Sequence, residues 1–213
     1  IKGEYELAVF YLIENLKKNS REELKGVFDL KSKNDLQNNE YTDLIDPLDK
    51  LPSPLYDIFP CNDKPDIDAY WDVFCQMRPV IQMQTSRGCP YHCYFCLWNQ
   101  LVYREGKYRT FSVARVIDEL ERAKNKYKTK EIYIDDDDFI INKDRIRAIC
   151  NEIGKKNLKT RWSCMGDAIN LDEKLIYEMA NAGCIGIKFG IESTCKDILE
   201  AIGKPVNLDR VKN

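Results

Sequence analysis

The sequence predicts an α/β fold: a partial (β/α) barrel of about four βα units, preceded by a small α+β N-terminal segment. Three observations carry this expectation. Short apolar strands and amphipathic helices alternate from Val80 onward. Their starts, near residues 81, 131, 159 and 185, are spaced in keeping with the roughly 31 residues of a barrel unit. A proline-spaced stretch separates this part from the N-terminal segment.

The composition is that of a globular chain. Of 213 residues, 44% are hydrophobic and 32% charged, which excludes a mostly disordered or fibrous protein. Lys and Arg number 33 against 35 Asp and Glu, so no charge excess points to a dedicated nucleic-acid or membrane-surface binder. The longest apolar run, Leu7 to Ile13, is far short of the ~20 residues that cross a bilayer. No signal-peptide pattern is present. Nine Cys with a single His do not fit a secreted disulfide scaffold, and three of the Cys fall within eight residues. That is metal-ligand spacing, so a reducing, cytoplasmic setting is expected.

Taken in order, Glu4 to Lys18 reads as a helix with Tyr5, Val9, Leu12, Ile13 and Leu16 on one apolar face. Leu24 to Leu30 and the stretch after it read as a hairpin around Ser32–Asp35. Pro47, Pro52, Pro54 and Pro60 make residues 46–79 an extended linker. Val80 to Gln84 is the first strand of the main unit. Ser112 caps a helix with the stripe Val113, Val116, Ile117, Leu120 and Ala123. Ile132–Ile134 is the second strand and runs into Asp135–Asp138. Asn142 caps the next helix, which buries Ile146, Ile149, Cys150 and Ile153 and stops at Gly154. Thr160 to Cys164 is the third strand. A helix lined by Leu175, Ile176, Met179 and Ala182 comes next and is closed by Gly183. Ile185 to Ile191 is the fourth strand, and Ile198, Leu199 and Ile202 mark a fourth helix. Two architectures fit this order: a doubly wound sheet, or a barrel that ends before closure.

The chemistry concentrates in Ser86-Arg87-Gly88-Cys89-Pro90-Tyr91-His92-Cys93-Tyr94-Phe95-Cys96, a CxxxCxxC loop directly after the first strand. Three thiolates on one compact loop suit an iron–sulfur cluster with one iron left open. Zinc is the alternative, but it wants a fourth ligand, and His92 lies inside the loop. A disulfide would leave an odd Cys, and chance placement also stays open. Cys61, Cys75, Cys150, Cys164, Cys184 and Cys195 read as small core residues.

Cys89-x-x-x-Cys93-x-aromatic-Cys96 at the end of a first strand resembles the signature of the radical S-adenosylmethionine (radical SAM) superfamily. Gln84–Pro90 resembles the lead-in of the subgroup that carries a cobalamin-binding domain. Asp135–Phe139, Trp162-Ser163-Cys164 and Phe189–Ser193 resemble that subgroup's second, third and fourth strand ends, in the expected order. Gly3–Glu6, together with the helix and hairpin after it, resembles the tail of the cobalamin domain. The resemblance therefore implies three parts: residues 1–45 as the remnant of a cobalamin-binding-like domain, 46–79 as the linker, and 80–213 as a partial radical SAM barrel. It also implies a chain cut at both ends. The family barrel has six βα units, and Gly166-Asp167 stand where an Arg often comes after the third-strand motif.

The resemblance assigns roles. Cys89, Cys93 and Cys96 would hold a 4Fe–4S cluster whose open iron binds SAM. Cobalamin would belong to the full-length parent, and the electron would come from a donor such as a flavodoxin or ferredoxin. Phe95 would pack near the adenine, with core packing as its alternative. Asp136 and Asp137 would meet the SAM amine, with a solvated acidic loop as the alternative. Glu192, closing an apolar strand, would hydrogen-bond the SAM ribose, with an ion pair as the alternative. The expected activity is reductive cleavage of SAM, for methyl transfer or radical ring formation on a substrate the sequence does not name. A non-enzymatic iron–sulfur electron carrier or redox sensor is the competing reading, and a carrier would normally supply a fourth Cys.

Overall fold

The computed structural model describes residues 1–20, 22–28, 40–58, 60–61, 64–65, 71–98, 102–103 and 107–212. The hairpin expected around Ser32–Asp35 lies outside the described residues, as does the side chain of Cys61.

Four strands make the main sheet: β1 (Val80–Met83), β2 (Glu131–Ile134), β3 (Trp162–Gly166) and β4 (Cys184–Phe189). They lie side by side in chain order and all pair in parallel. A doubly wound sheet would reverse its strand order at a switch point. Sequential order without reversal is the barrel pattern, so the sheet is a barrel arc and the doubly wound alternative is excluded.

The connecting helices form where the capping signals place them. α2 (Val113–Asn125) starts at Ser112, whose hydroxyl accepts from Arg115 N at 3.2 Å. α3 (Lys143–Lys155) starts at Asn142, which accepts from Arg145 N at 3.0 Å. α4 (Glu173–Asn181) is capped by Asp172, which accepts from Leu175 N at 2.9 Å. Gly183, at φ +96°, closes it as expected. Gly154 does not stop α3, which runs on to Lys155 before Asn157 takes the left-handed turn at φ +49°. Beyond the sheet lie α5 (Lys196–Ala201) and α6 (Leu208–Lys212).

One apolar core joins the helices to the outer sheet face. Ile81, Ile132, Ile134 and Trp162 from the strands meet Ile117, Leu120, Ile146, Ile149, Leu175 and Met179 from α2–α4. Phe139 packs edge-on to Trp162 with ring centroids 5.7 Å apart. Ile176, expected to line α4 on its apolar side, is exposed. Cys75, Cys150 and Cys164 are buried as expected, whereas Cys195 is exposed.

The inner face of the arc is polar. Gln82, Tyr133, Ser163 and Gly186 stand in register across all four strands, with Met165 and Lys188 one level above. Residues 71–79 close the lower end of this face. There the Glu131 carboxylate accepts from Gln76 N and Met77 N at 2.6 and 2.7 Å.

The N-terminal part departs from expectation. α1 (Glu6–Lys17) forms, but Ala8 is its only buried residue, while Tyr5, Ile13 and Leu16 are exposed. Attachment comes from Glu4, 2% exposed. Its carboxylate takes Arg109 Nη2 at 2.7 Å, Arg87 Nη1 at 3.1 Å and Ile45 N at 2.7 Å. Burial pushes the Glu4 pKa up, but the hydrogen bonds from Arg109 and Ile45 and the charges of Arg109 and Arg87 outweigh it, and the net direction is down. The proline-rich stretch is not an extended spacer throughout. It makes helical turns at Leu48–Lys50 and Tyr56–Ile58, buries Leu48 and Tyr56, and donates the Tyr56 hydroxyl to Gln82 O at 2.8 Å.

Candidate functional site

The cysteine loop leaves the C-terminal end of β1, the end of a barrel at which catalytic groups gather. Its lead-in is fixed from three sides. Ser86–Arg87 pairs antiparallel with Arg109–Thr110. Arg145 of α3 donates to Thr85 O at 2.7 Å and to Thr85 Oγ1 at 3.2 Å. Asp136, fully buried beyond β2, accepts the hydroxyls of Thr85 and Ser86 at 2.6 Å each and both their backbone N–H groups. Burial pushes the Asp136 carboxyl up, and those hydrogen bonds oppose the shift.

Gly88 then turns the chain at φ +87°, and a Cβ there would run into the Lys107 carbonyl. Its N–H donates to Asp137 Oδ2 at 2.7 Å. Of the acidic run, Asp137 therefore reaches the residue before the first Cys, with its pKa pushed up to about 6, chiefly by burial. Asp135 faces the other way, toward Lys188 and Asp72, and burial raises its pKa too.

Cys89, Cys93 and Cys96 are free thiols; Cys93 is buried and the other two are partly exposed. Cys96 N donates to Cys93 O at 3.0 Å. Burial pushes the Cys89 thiol up to about 12, and the nearby Asp138, Asp137 and Cys93 add to it. Cys93 is raised in the same way, with the charge of Lys204 opposing. Among the described residues no three His, Cys, Asp or Glu side chains converge as ligands of one metal ion. The donor chemistry fits a cluster nonetheless. Three soft thiol donors share one loop, and the thiolate forms of Cys89 and Cys93, disfavoured by burial and by acidic neighbours, are forms that cationic iron stabilises.

The expected SAM contacts are brought to the same end of the sheet only in part. Phe95 is 53% exposed, so core packing does not account for it. Asp136 is engaged by Thr85 and Ser86, and Asp137 by Gly88. The burial argument for Glu192 fails. β4 ends at Phe189, three residues earlier, and Glu192 is exposed at φ +64°, beside Gly190 and within electrostatic reach of Lys204.

Three features escape the sequence reading. Asp138 is 2% exposed and caps the turn Phe139–Ile141 by accepting from Ile140 N at 3.0 Å. Its Oδ2 has no hydrogen-bond partner among the described residues, and burial pushes its pKa up to about 6. Its only legible signal is the cap position two residues before Ile140. Tyr91 of the loop accepts a hydrogen bond from Asn170 at 2.9 Å. Lys204 reaches back from beyond α5 to Asp167 at 2.9 Å. A cavity of about 690 Å³ opens beside it, lined by Tyr91, Ile169, Leu199, Lys204 and Val206. A more apolar one, about 640 Å³, lies away from the cysteines, between α1, the proline-rich stretch and α2.

The family model described as the radical SAM superfamily matches residues 83–213, from the end of β1 through the cysteine loop and every later βα unit. The chain belongs to the radical SAM superfamily. This radical SAM chain is 35% identical over 218 aligned positions to an uncharacterized methyltransferase of Pyrococcus horikoshii, covering 100% of the chain and 45% of that protein. It is 33% identical to cytidylyl-2-hydroxyethylphosphonate methyltransferase of Streptomyces wedmorensis, covering 78% of the chain and 31% of that enzyme. In fold it resembles the radical SAM methyltransferase TsrM of Kitasatospora setae, solved with cobalamin and a 4Fe–4S cluster bound. The TM-score is 0.55 at 20% identity, over 62% of this chain and 27% of TsrM. The chain spans less than half the length of each of these proteins. Among its described residues no helix is long and apolar enough to cross a membrane.

Proposed function

We propose that this chain carries the catalytic core of a radical SAM enzyme, with Cys89, Cys93 and Cys96 holding a 4Fe–4S cluster and SAM bound at the fourth iron. The observation that supports it most is three free thiols on a loop at the C-terminal end of β1, in a chain of this superfamily. Held by these three thiolates, a reduced cluster would supply the one electron that cleaves SAM to methionine and a 5′-deoxyadenosyl radical.

The protein's part is placement. Asp136, Arg145 and the Gly88 turn fix the direction in which Cys89 leaves the sheet. Asp137 presents a carboxylate beside the loop, suited to the methionyl amine. Phe95 offers an exposed ring face for the adenine, and Glu192 an exposed carboxylate for the ribose hydroxyls. Asp136, consumed by the loop, supports the site without touching SAM. Methyl transfer is the favoured outcome because the relatives matched over 100% and 78% of this chain are methyltransferases, whereas cyclases match over 60% or less. Cobalamin in the full-length parent, an electron donor of flavodoxin or ferredoxin type, a cytoplasmic location and the division at residues 45 and 79 belong to the same reading.

Anaerobic reconstitution with iron and sulfide tests it. We expect about four irons and four sulfides per chain, a visible spectrum that changes on adding SAM, and loss of the cluster in Cys89→Ala, Cys93→Ala or Cys96→Ala. Stoichiometric zinc without iron would sink the proposal. A cluster indifferent to SAM in the full-length protein would favour an electron carrier instead.

A further inference from the structure

Lys204 has no part in the chemistry proposed above, yet the fold brings it to the middle of the cysteine loop. The turn after α5 rests on that loop. Tyr94 N donates to Ile202 O at 2.9 Å, and a side chain at Gly203, φ +66°, would press on the Tyr94 ring and the His92 carbonyl. One residue later, the Lys204 side chain is 13% exposed and runs inward. Its Nζ lies 2.9 Å from Asp167 Oδ2, at the end of β3. Asp167 is itself buried, and its other oxygen accepts from Ile169 N at 3.0 Å. The Lys204–Asp167 contact is a largely buried ion pair. Besides Asp167 at 2.9 Å, the Cys93 thiol, Glu192 and Asp138 lie within electrostatic reach of the ammonium.

A mostly buried ammonium is expensive unless its charge is used. One carboxylate would suffice to balance it, and a purely structural pair could be placed anywhere along α5. This pair sits on the turn that packs against the residues either side of Cys93.

We propose that Lys204, steered by Asp167, is a charge-setting residue of the cysteine-bound cluster, its ammonium beside Cys93 favouring the reduced state. The inference rests on the cluster reading above. Reduction adds one negative charge within the thiolate loop. A fixed cation nearby lowers the energy of that state, and a carboxylate raises it, more strongly here than in water because the groups are largely dry. Lys204 and Asp167 therefore act in opposite senses, which a packing role would not produce.

The test is a redox titration of the reconstituted protein, monitored by the visible and electron paramagnetic resonance signals of the cluster, with iron content measured in every sample. Lys204→Gln should shift the midpoint to more negative potential. Asp167→Asn, which leaves the lysine charge unbalanced, should shift it to more positive potential. Lys204→Arg should stay near the unsubstituted protein. Full iron content with unmoved midpoints, or both variants moving the same way, would overturn the inference while leaving the cluster reading intact. If Lys204→Gln loses the cluster and Lys204→Arg keeps it, charge is what the loop requires and the inference stands. If both lose it, packing explains the residue and the inference falls. An unsubstituted chain that takes up no iron would overturn the cluster reading and this inference together.

Discussion

Helices α1 and α2 are nearly the same length, 12 and 13 residues, yet they are held to the molecule in opposite ways. α2 lays Val116, Ile117, Leu120 and Ala123 into the core. α1 buries one alanine and is anchored by the buried Glu4 carboxylate, which grips Arg109 and Arg87. An apolar stripe is tolerant of small shifts, whereas a carboxylate between two guanidiniums fixes direction and fails when one partner is removed. The N-terminal segment is thereby aimed at the lead-in of the cysteine loop, since Arg87 lies two residues before Cys89.

The strongest way to break this comparison is at the apolar end. Trp162 is fully buried and donates its indole N–H to Ala182 O at 3.0 Å. Trp162→Ala should lower stability by about 3–5 kcal/mol in urea unfolding, and β2–β4 with α2–α4 should melt together. A loss below about 1 kcal/mol would show that the core is not what holds these helices.

Glu4→Gln should act on the other side alone. Removing one partner of a buried ion group costs about 3–5 kcal/mol, and that loss should appear locally. Amide exchange in α1 should accelerate while α2 and α3 keep their protection. Equal acceleration in all three helices would mean that the two regions are one cooperative unit.

A subtler test contrasts Glu4 with Asp138, a buried carboxylate whose pKa is pushed up rather than down. Asp138 titrates at about 6 in the fold against 3.8 unfolded. Its folded form thus favours the proton. The stability this contributes is complete below pH 3.8 and is lost as pH rises through about 6. In the metal-free chain, Asp138→Asn should raise stability above pH 7 by about 3 kcal/mol at most, and the gain should vanish toward pH 4. A gain independent of pH would place the effect in packing rather than charge.

Much of the fold is legible in residue order. Capping residues Ser112 and Asn142 and the stripes behind them locate α2 and α3, because local hydrogen bonds and periodicity are sequence-local signals. The cysteine loop is legible for the same reason. Sequential strand order is not: residue spacing allows either winding, and only pairing decides. Glu192 misleads because the apolar alternation 187-189-191 continues past the residue at which β4 stops pairing. Glu4 and Lys204 give no signal at all. Their partners lie 105 and 37 positions away in the chain, beyond the reach of any local pattern. The apolar pattern of α1 points correctly to a helix with one apolar face, and periodicity does not say what covers that face.

The four hydrogen bonds on Asp136 bear on how the proposed cluster would be acquired. They hold the approach to Cys89 in one shape in the metal-free chain, with the Gly88 turn locked against Lys107. Conformational entropy on that side of the loop is surrendered during folding rather than at loading. On the other side, Tyr94, Phe95 and Leu97 are exposed. For a cluster held as proposed by Cys89, Cys93 and Cys96, the approach to Cys89 would already be ordered, and that part of the ordering penalty would not fall on assembly.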